Sequence, residues 1–342
     1  MVRLRGFQAA ALAAFSCIGA QAWAAGESCN RACLESFVDR YLDAVVANQP
    51  SMVPLSPSVR FTEDGVQLVI GDGLWNSMRA KGKYRLFVTD VPAGQATFFG
   101  SIEEDNRDPA QGTPALLALR LKVRGMQITE IEQLVIRDEN AAKKVNEMTV
   151  RPNLLKETPV ADRMSRAALI ETANKYFTGM QQNDGKGDYP FADDCNRIEN
   201  GGQATNAPTP AGQTRPDPKT SLNYSGQWSC MEQFKSGLLH FVHRIRDRRY
   251  VAVDQERGLV FMFGFFDHPG GATRTFQTPD GRTITAGPVQ PWTWQLGELF
   301  KVEKGKIHEI EALLHRVPYG MNSGWSTWSQ GMSDVARDVT ME

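Results

Sequence analysis

Apolar residues along the chain fall into two runs of one design. Leu34, Phe37, Val38, Tyr41, Leu42, Val45 and Val46 recur at spacings of three and four. That period predicts an amphipathic helix over residues 34–48 with Tyr41 on its apolar face. Gln49-Pro-Ser51 ends it. Residues 53–61 read as a short element leading into a loop that carries Glu63, and Gly71-Asp-Gly-Leu-Trp75 opens a short helix through Ala80. Residues 84–91, 95–104, 115–124 and 127–137 alternate or carry β-branched runs between turn residues, which predicts an antiparallel sheet.

The second half repeats this order. Leu169, Ala173, Tyr176, Phe177 and Met180 form one helical face over 168–180. Tyr41 to Tyr176 is 135 residues, Glu63 to Glu199 is 136, and Trp75 to Trp228 is 153. Gly100 to Gly264 is 164, and Glu130 to Glu309 is 179. The offsets only grow, and each growth falls where the second half has a longer loop. Self-similarity at this length means tandem domains. The expected division is a first domain over 25–150, a linker over 151–165 and a second domain over 166–342. A Pro-, Thr- and Gly-rich stretch over 202–227 is a loop insertion, either a lid or binding loop or a surface addition. Residues 269–287 form a longer hairpin. Trp325 and Trp328 of the tail are expected to pack back on the second domain.

Met1-Val-Arg-Leu-Arg, an Ala-rich apolar run and Ala22-Trp-Ala24 read as a secretory signal peptide over 1–24. Its apolar run is shorter than the roughly 20 residues of a membrane span. Localisation is therefore expected to be periplasmic or secreted, with no membrane contact after cleavage. Four cysteines remain: Cys29, Cys33, Cys195 and Cys230. An even number in an exported chain points to disulfides, of which four cysteines allow three pairings. Cys29–Cys33 and Cys195–Cys230 are the favoured set. No His stands beside them at ligand spacing, so neither a metal nor any other cofactor is expected. Lys and Arg number 38 against 39 Asp and Glu, which gives no basic surface for nucleic acid.

Candidate chemistry gathers after each helix, where Glu63 precedes Asp64-Gly65 and Glu199 precedes Asn200-Gly201. A carboxylate at the mouth of an apolar barrel can serve as a general base, because burial lifts its pKa toward working pH. Arg197 lies two residues before Glu199, on the same face of an extended segment, and can pair with Glu199 or bind an anionic substrate. Asp193 and Asp194 are expected to cap or turn near the helix end. All five histidines lie in the second half, which marks it as the reactive one. His240, His243 and His315 are candidate second acid/bases, and the alternating pair Trp292 and Trp294 would add aromatic surface to a pocket. Glu130, Glu132, Glu309 and Glu311 are expected to face solvent or an inter-domain contact.

A helix with an inward Tyr, an acidic segment, a short helix and a curved sheet resemble the cone-shaped α+β barrel of the NTF2-like superfamily, with its ketosteroid isomerases and SnoaL-like cyclases. Lys175-Tyr176, Phe191-Ala-Asp-Asp194 and Glu199 carry the likeness best. The resemblance implies Tyr176 as an oxyanion donor, Glu199 as base and Glu298 as a protonated acid. Tyr41 and Glu63 hold the first two places in the first half, where Leu119 stands at the third. The Thr-Glu-Asp-Gly, Gly-Asp-Gly-Leu-Trp and Ile-x-Glu-Ile-Glu segments also resemble the domain of unknown function 8021 family, along nearly the entire mature chain.

The fold expectation is α+β: two tandem cone-shaped barrels packed as an intramolecular pseudo-dimer, with further self-association left open. The functional expectation is an exported, cofactor-independent lyase, dehydratase or isomerase acting on a small hydroxylated or carbonyl compound. Glu199, Tyr176, His240, His243, His315 and Glu298 would be catalytic, and Arg197, Trp294, Trp292, Asn200, Tyr41 and Glu63 would bind substrate. The alternative is a non-catalytic small-molecule-binding or assembly protein.

Overall fold

The computed structural model describes residues 29–339. The leader expected over 1–24 lies outside the described residues. Asn30 begins helix α1 (Arg31–Val46) by accepting the Cys33 N–H on its side chain, which satisfies one of the free donors of the first turn. The helix buries Phe37, Tyr41 and Leu42 against a six-stranded sheet. Its strands are β1 (Leu55–Glu63), β2 (Val66–Gln67), β3 (Met78–Asp90), β4 (Gln95–Asp105), β5 (Gly112–Arg124) and β6 (Gln127–Ile136). Their spatial order is β2-β1-β6-β5-β4-β3. Only the β1–β6 pair is parallel.

Two expectations for this half are corrected. Glu63 is the last residue of β1 rather than part of a loop. The helix expected through Ala80 is a single turn over Gly73–Asn76, because Met78 already pairs with Glu104 of β4. After the sheet comes α2 (Glu139–Glu147), capped by Asp138 through the N–H groups of Asn140 and Ala141. Its apolar stripe is only Ala141, Ala142 and Val145, too thin to stand out by periodicity. The expected linker holds α3 (Pro152–Leu155) and a turn over Val160–Asp162. It is packed down by Leu154, which is fully buried.

The second half begins with α4 (Arg166–Met180). Strands β7 (Phe191–Glu199) and β8 (Gly202–Gln203), helix α5 (Cys230–Lys235), and strands β9 (Arg244–Asp254) and β10 (Leu259–His268) follow. A small hairpin of β11 (Thr275–Gln277) and β12 (Thr283–Thr285) precedes β13 (Trp292–Glu303), β14 (Lys306–Val317), α6 (Trp328–Gly331) and β15 (Arg337–Asp338). The order β15-β9-β10-β13-β14-β7-β8 repeats that of the first sheet, with β15 added at one edge. The parallel pair recurs as β14–β7. Asp193 and Asp194 lie exposed on β7 and do not cap a helix; Asp194 meets His308 Nδ1 at 2.7 Å. Both favoured disulfides are formed. Cys29–Cys33 sits at the start of α1, and Cys195–Cys230 ties β7 to α5.

The two sheets pack face to face. Phe99, Leu116 and Leu134 of the first meet Phe261, Phe263 and Leu299 of the second in one buried cluster, each worth about 1.5–3 kcal/mol of burial. Charges cross the same contact. Arg249 donates to Glu132 at 2.6 and 2.9 Å, while Tyr84 and Arg151 donate to Glu311 at 2.6 and 3.2 Å. Of the two places expected for these acids, Glu132 and Glu311 take the inter-unit contact. The tail crosses over as well. The Trp325 indole lies 4.2 Å from the Arg60 guanidinium and 4.5 Å from that of Arg120, and its N–H donates to Thr62 at 2.7 Å. It therefore packs on the first half, not the second. Trp328 is 69% exposed and does not pack back.

Candidate functional site

The register of the two sheets sets equivalent residues side by side. Glu63 pairs with Gln133 where Glu199 pairs with Ala312. Two residues before these glutamates stand Phe61 and Arg197. Leu119 faces Gln133 where Glu298 faces Ala312. In the first unit the buried polar groups are bonded to one another. Tyr41 donates to Gln133 at 2.9 Å, and Gln133 donates to Glu63 at 2.9 Å. Glu63 also accepts the Leu74 N–H at 2.7 Å. All three side chains are buried. Tyr41 and Glu63 thus spend their polar atoms on one another's neighbours, and neither lines a cavity described here. Gln133, which spacing could not single out, bridges the two.

In the second unit Ala312 stands at the place of Gln133, and Phe61 and Leu119 are replaced by Arg197 and Glu298. A cavity of about 400 Å³ opens, walled by Met180, Leu239, Phe241, Phe266 and Trp294, with Arg197 and Glu199 at its polar end. Arg197 is buried. It donates to Glu199 and to Gln233, both at 2.5 Å. Glu199 is held by strand β7, followed by Asn200 at φ 47° and Gly201 at φ 72°. That left-handed pair makes the tight turn into β8 and explains the Glu-Asn-Gly spelling. A Cβ on Gly201 would also approach Val145 Cγ2 to 2.8 Å.

Beneath Arg197 lies a second pair. Tyr176 is packed among Phe177, Phe191, Phe234 and Phe300, with ring centroids 5.1–6.4 Å away. The Glu298 carboxyl lies close enough to raise its hydroxyl electrostatically, and the Arg197 guanidinium lies 5.5 Å from its ring. Burial pushes the Glu298 carboxyl up to about 8, against the pull of Arg197, so it is neutral at pH 7. Burial likewise drives Tyr176 well above its ordinary value. The Glu298 Oε2 has no hydrogen-bond partner. Neither Tyr176 nor Glu298 belongs to the cavity wall. They support the guanidinium from behind, and this corrects the direct contact with substrate implied for them.

The remaining candidates separate. His240 Nδ1 faces the Asn183 carbonyl at 3.2 Å, and its ring stacks on Phe276 at 4.8 Å. His243 offers its backbone to Asp267 and Gln182. Neither lines the cavity, because the segment between α5 and β9 turns both away from it. Asn200 is bound twice to the backbone of Leu314, at 2.8 and 2.9 Å; it fixes the strand edge and is not free for substrate. Trp292 stacks under His268 at 4.3 Å, and Trp294 meets it edge-on at 4.5 Å. His315 faces a neighbouring cavity. Among the wall residues not singled out as site residues from sequence are His268, Tyr224 and Gly226. Burial drives His268 down to about 4, so its imidazole is neutral. Tyr224 stands in the 202–227 insertion, which therefore forms one wall of the cavity. Gln233, the other partner of Arg197, gave no signal in the sequence either.

An α+β unit with a buried acid–guanidinium site is thus defined within residues 166–317. Residues 162–314, which span most of the second unit, match the family model of a domain of unknown function, DUF8021. The match does not extend along the whole mature chain, as the sequence reading had it. Among solved structures, the crystal structure of AclR, a candidate hydroxylase from Streptomyces galilaeus, is 11% identical. It aligns over 37% of this chain and 93% of that one, with a TM-score of 0.26. No curated protein matches the chain. Among the described residues no helix is long and apolar enough to cross a membrane.

Proposed function

We propose that the second unit is an exported, cofactor-independent acid/base enzyme for a small hydroxylated or carbonyl compound. One observation carries this reading. Where the first unit holds Phe61, Leu119 and Gln133, the second holds Arg197, Glu298 and Ala312, and a cavity of about 400 Å³ reaches Arg197 and Glu199. Burying a guanidinium and a second carboxyl in an apolar barrel is unfavourable for stability, and perturbed groups in a cleft are the mark of functional sites. The first barrel supplies the internal control, since it folds with none of them.

In this reading Glu199 is the base, paired with the Arg197 guanidinium at 2.5 Å. It takes a proton from a carbon or hydroxyl of the substrate. Negative charge developing on the substrate oxygen is stabilised by the same guanidinium. Glu298 and Tyr176, both neutral, are positioning residues for Arg197. They leave it with one full counter-charge rather than two, so it keeps electrostatic reach into the cavity. His268 adds a neutral imidazole to the wall. The repeated strand order supports tandem NTF2-like cones over 25–150 and 166–342, joined through 151–165 as an intramolecular pseudo-dimer. The two disulfides support export.

The test is turnover of a panel of hydroxylated and carbonyl compounds by wild type and Glu199→Gln. Loss of at least about 100-fold in kcat/KM is expected for removal of a general base. Equal turnover by the variant removes Glu199 from that role. Unchanged ligand binding with no turnover by wild type would favour the alternative, a binding protein of the same fold.

A further inference from the structure

A second cavity of about 400 Å³ adjoins the first, where the two units meet. Its walls come from equivalent positions of both. Asp64 and Asn200 each follow a strand-end glutamate in a left-handed conformation, at φ 50° and 47°. Asp64 accepts the Val135 N–H at 2.8 Å, and Asn200 accepts the Leu314 N–H at 2.9 Å. Ile136 and His315 come next in the chain, then Arg137 and Arg316. Trp294 and Leu314 line both cavities, which therefore adjoin along these two side chains.

The two spaces differ in chemistry. The pocket of the second unit is walled by rings and aliphatic groups, which suits a planar apolar body. The chamber is lined by hydrogen-bonding groups. Arg137 is saturated by Glu104 at 2.8 and 2.9 Å, which leaves it little to offer an anion. Burial raises Asp64 to about 7 and lowers His315 to about 4. Near neutral pH they are a partly ionised acid and a neutral imidazole, with His315 Nε2 3.9 Å from Asp64 Oδ1 and 3.2 Å from Gln295 Oε1. Such groups bind hydroxyls, which both donate and accept.

We propose that pocket and chamber form one ligand site, taking a molecule whose planar apolar body lies in the second unit and whose hydroxyl-rich end lies between Asp64 and His315. The first unit would then supply the far end of the site. This rests on the pocket assignment above. It adds a substrate class, an apolar ring joined to a polyhydroxylated group, and gives the duplicated half a role in recognition.

Two probes separate the claims: 4-nitrophenol, which fits the pocket alone, and 4-nitrophenyl β-D-glucopyranoside, which would reach the chamber. Calorimetric titration uses the full mature chain. Wild type is expected to bind the glucoside at least about tenfold more tightly than the phenol, the gain from one or two added hydrogen bonds. The repeat supplies the variants. Asp64→Asn and His315→Ile each install the residue found at the equivalent position of the other unit, so the backbone conformation is already tolerated. In either variant the ratio of the two affinities should fall toward one. Equal affinities in wild type, or an unchanged ratio in both variants, overturns the shared site and leaves the pocket standing. Failure of wild type to bind either probe overturns both.

Discussion

The buried Glu298 makes a prediction that can be worked through. Its carboxyl lies at about 8 in the folded chain against an ordinary glutamate value of 4.5. Each pKa unit corresponds to about 1.4 kcal/mol. A carboxyl with a raised folded value holds its proton in the native state after the unfolded chain has lost it. Between pH 4.5 and 8 the native state therefore binds more protons, and stability falls as pH rises through that window. The loss works out at about 5 kcal/mol. Glu298→Gln keeps the neutral shape and cannot ionise. At pH 5 the variant should unfold in urea within about 1 kcal/mol of wild type. At pH 8.5 it should be more stable by about 4–5 kcal/mol. Asp64 and Glu309 are also raised, each to about 7, and push both proteins the same way. The quantity to measure is accordingly the difference between the two proteins across pH, with disulfides intact. A difference that stays constant from pH 5 to 8.5 would show that Glu298 is ionised in the native state, and the neutral support assigned to Arg197 would fall with it.

Two further outcomes concern the scaffold. Arg249→Ala strands Glu132 between the sheets without its 2.6 Å partner, and should destabilise the chain by about 3–5 kcal/mol in denaturant unfolding; a change below about 1 kcal/mol would mean that water reaches the carboxylate. Removing the Cys195–Cys230 bond, which spans 35 residues, should lower stability by about 2–4 kcal/mol. The Cys195→Ala/Cys230→Ala double variant tests this by calorimetry, and an unchanged midpoint would place the constraint elsewhere.

How far the sequence could be read follows from where the physics is local. Helices α1 and α4 announce themselves, because their buried faces repeat every three or four residues. The strands do so by alternation, and the Glu-Asp-Gly and Glu-Asn-Gly spellings mark the same left-handed turn in both halves. Helix α2 escaped because two alanines and a valine make too thin a stripe. The site was harder for a different reason. Spacing brought Arg197 and Glu199 together on one strand. It could not reveal that Gln133, 70 residues beyond Glu63 in the chain, bridges Tyr41 and Glu63 in the first unit, or that an alanine stands at the matching place of the second. Nor could it show that Arg197 screens Tyr176 and Glu298 from the cavity. His240 and His243 were drawn in by residue type alone, and a backbone turn between α5 and β9 sends them elsewhere.

The sheet-to-sheet contact carries one more consequence. Arg249 pairs with Phe263 in its sheet where Leu86 pairs with Phe99 in the other, so the two halves offer unlike residues to the same partner position. Glu132 finds a guanidinium there, while Glu311 turns instead to a phenol and to the linker's Arg151. Two copies of the N-terminal half laid together would set Glu132 against leucine, with only Arg120 of its own sheet, at 3.3 Å, as counter-ion. The halves have ceased to be interchangeable, and the chain has become a permanent heterodimer written in one reading frame.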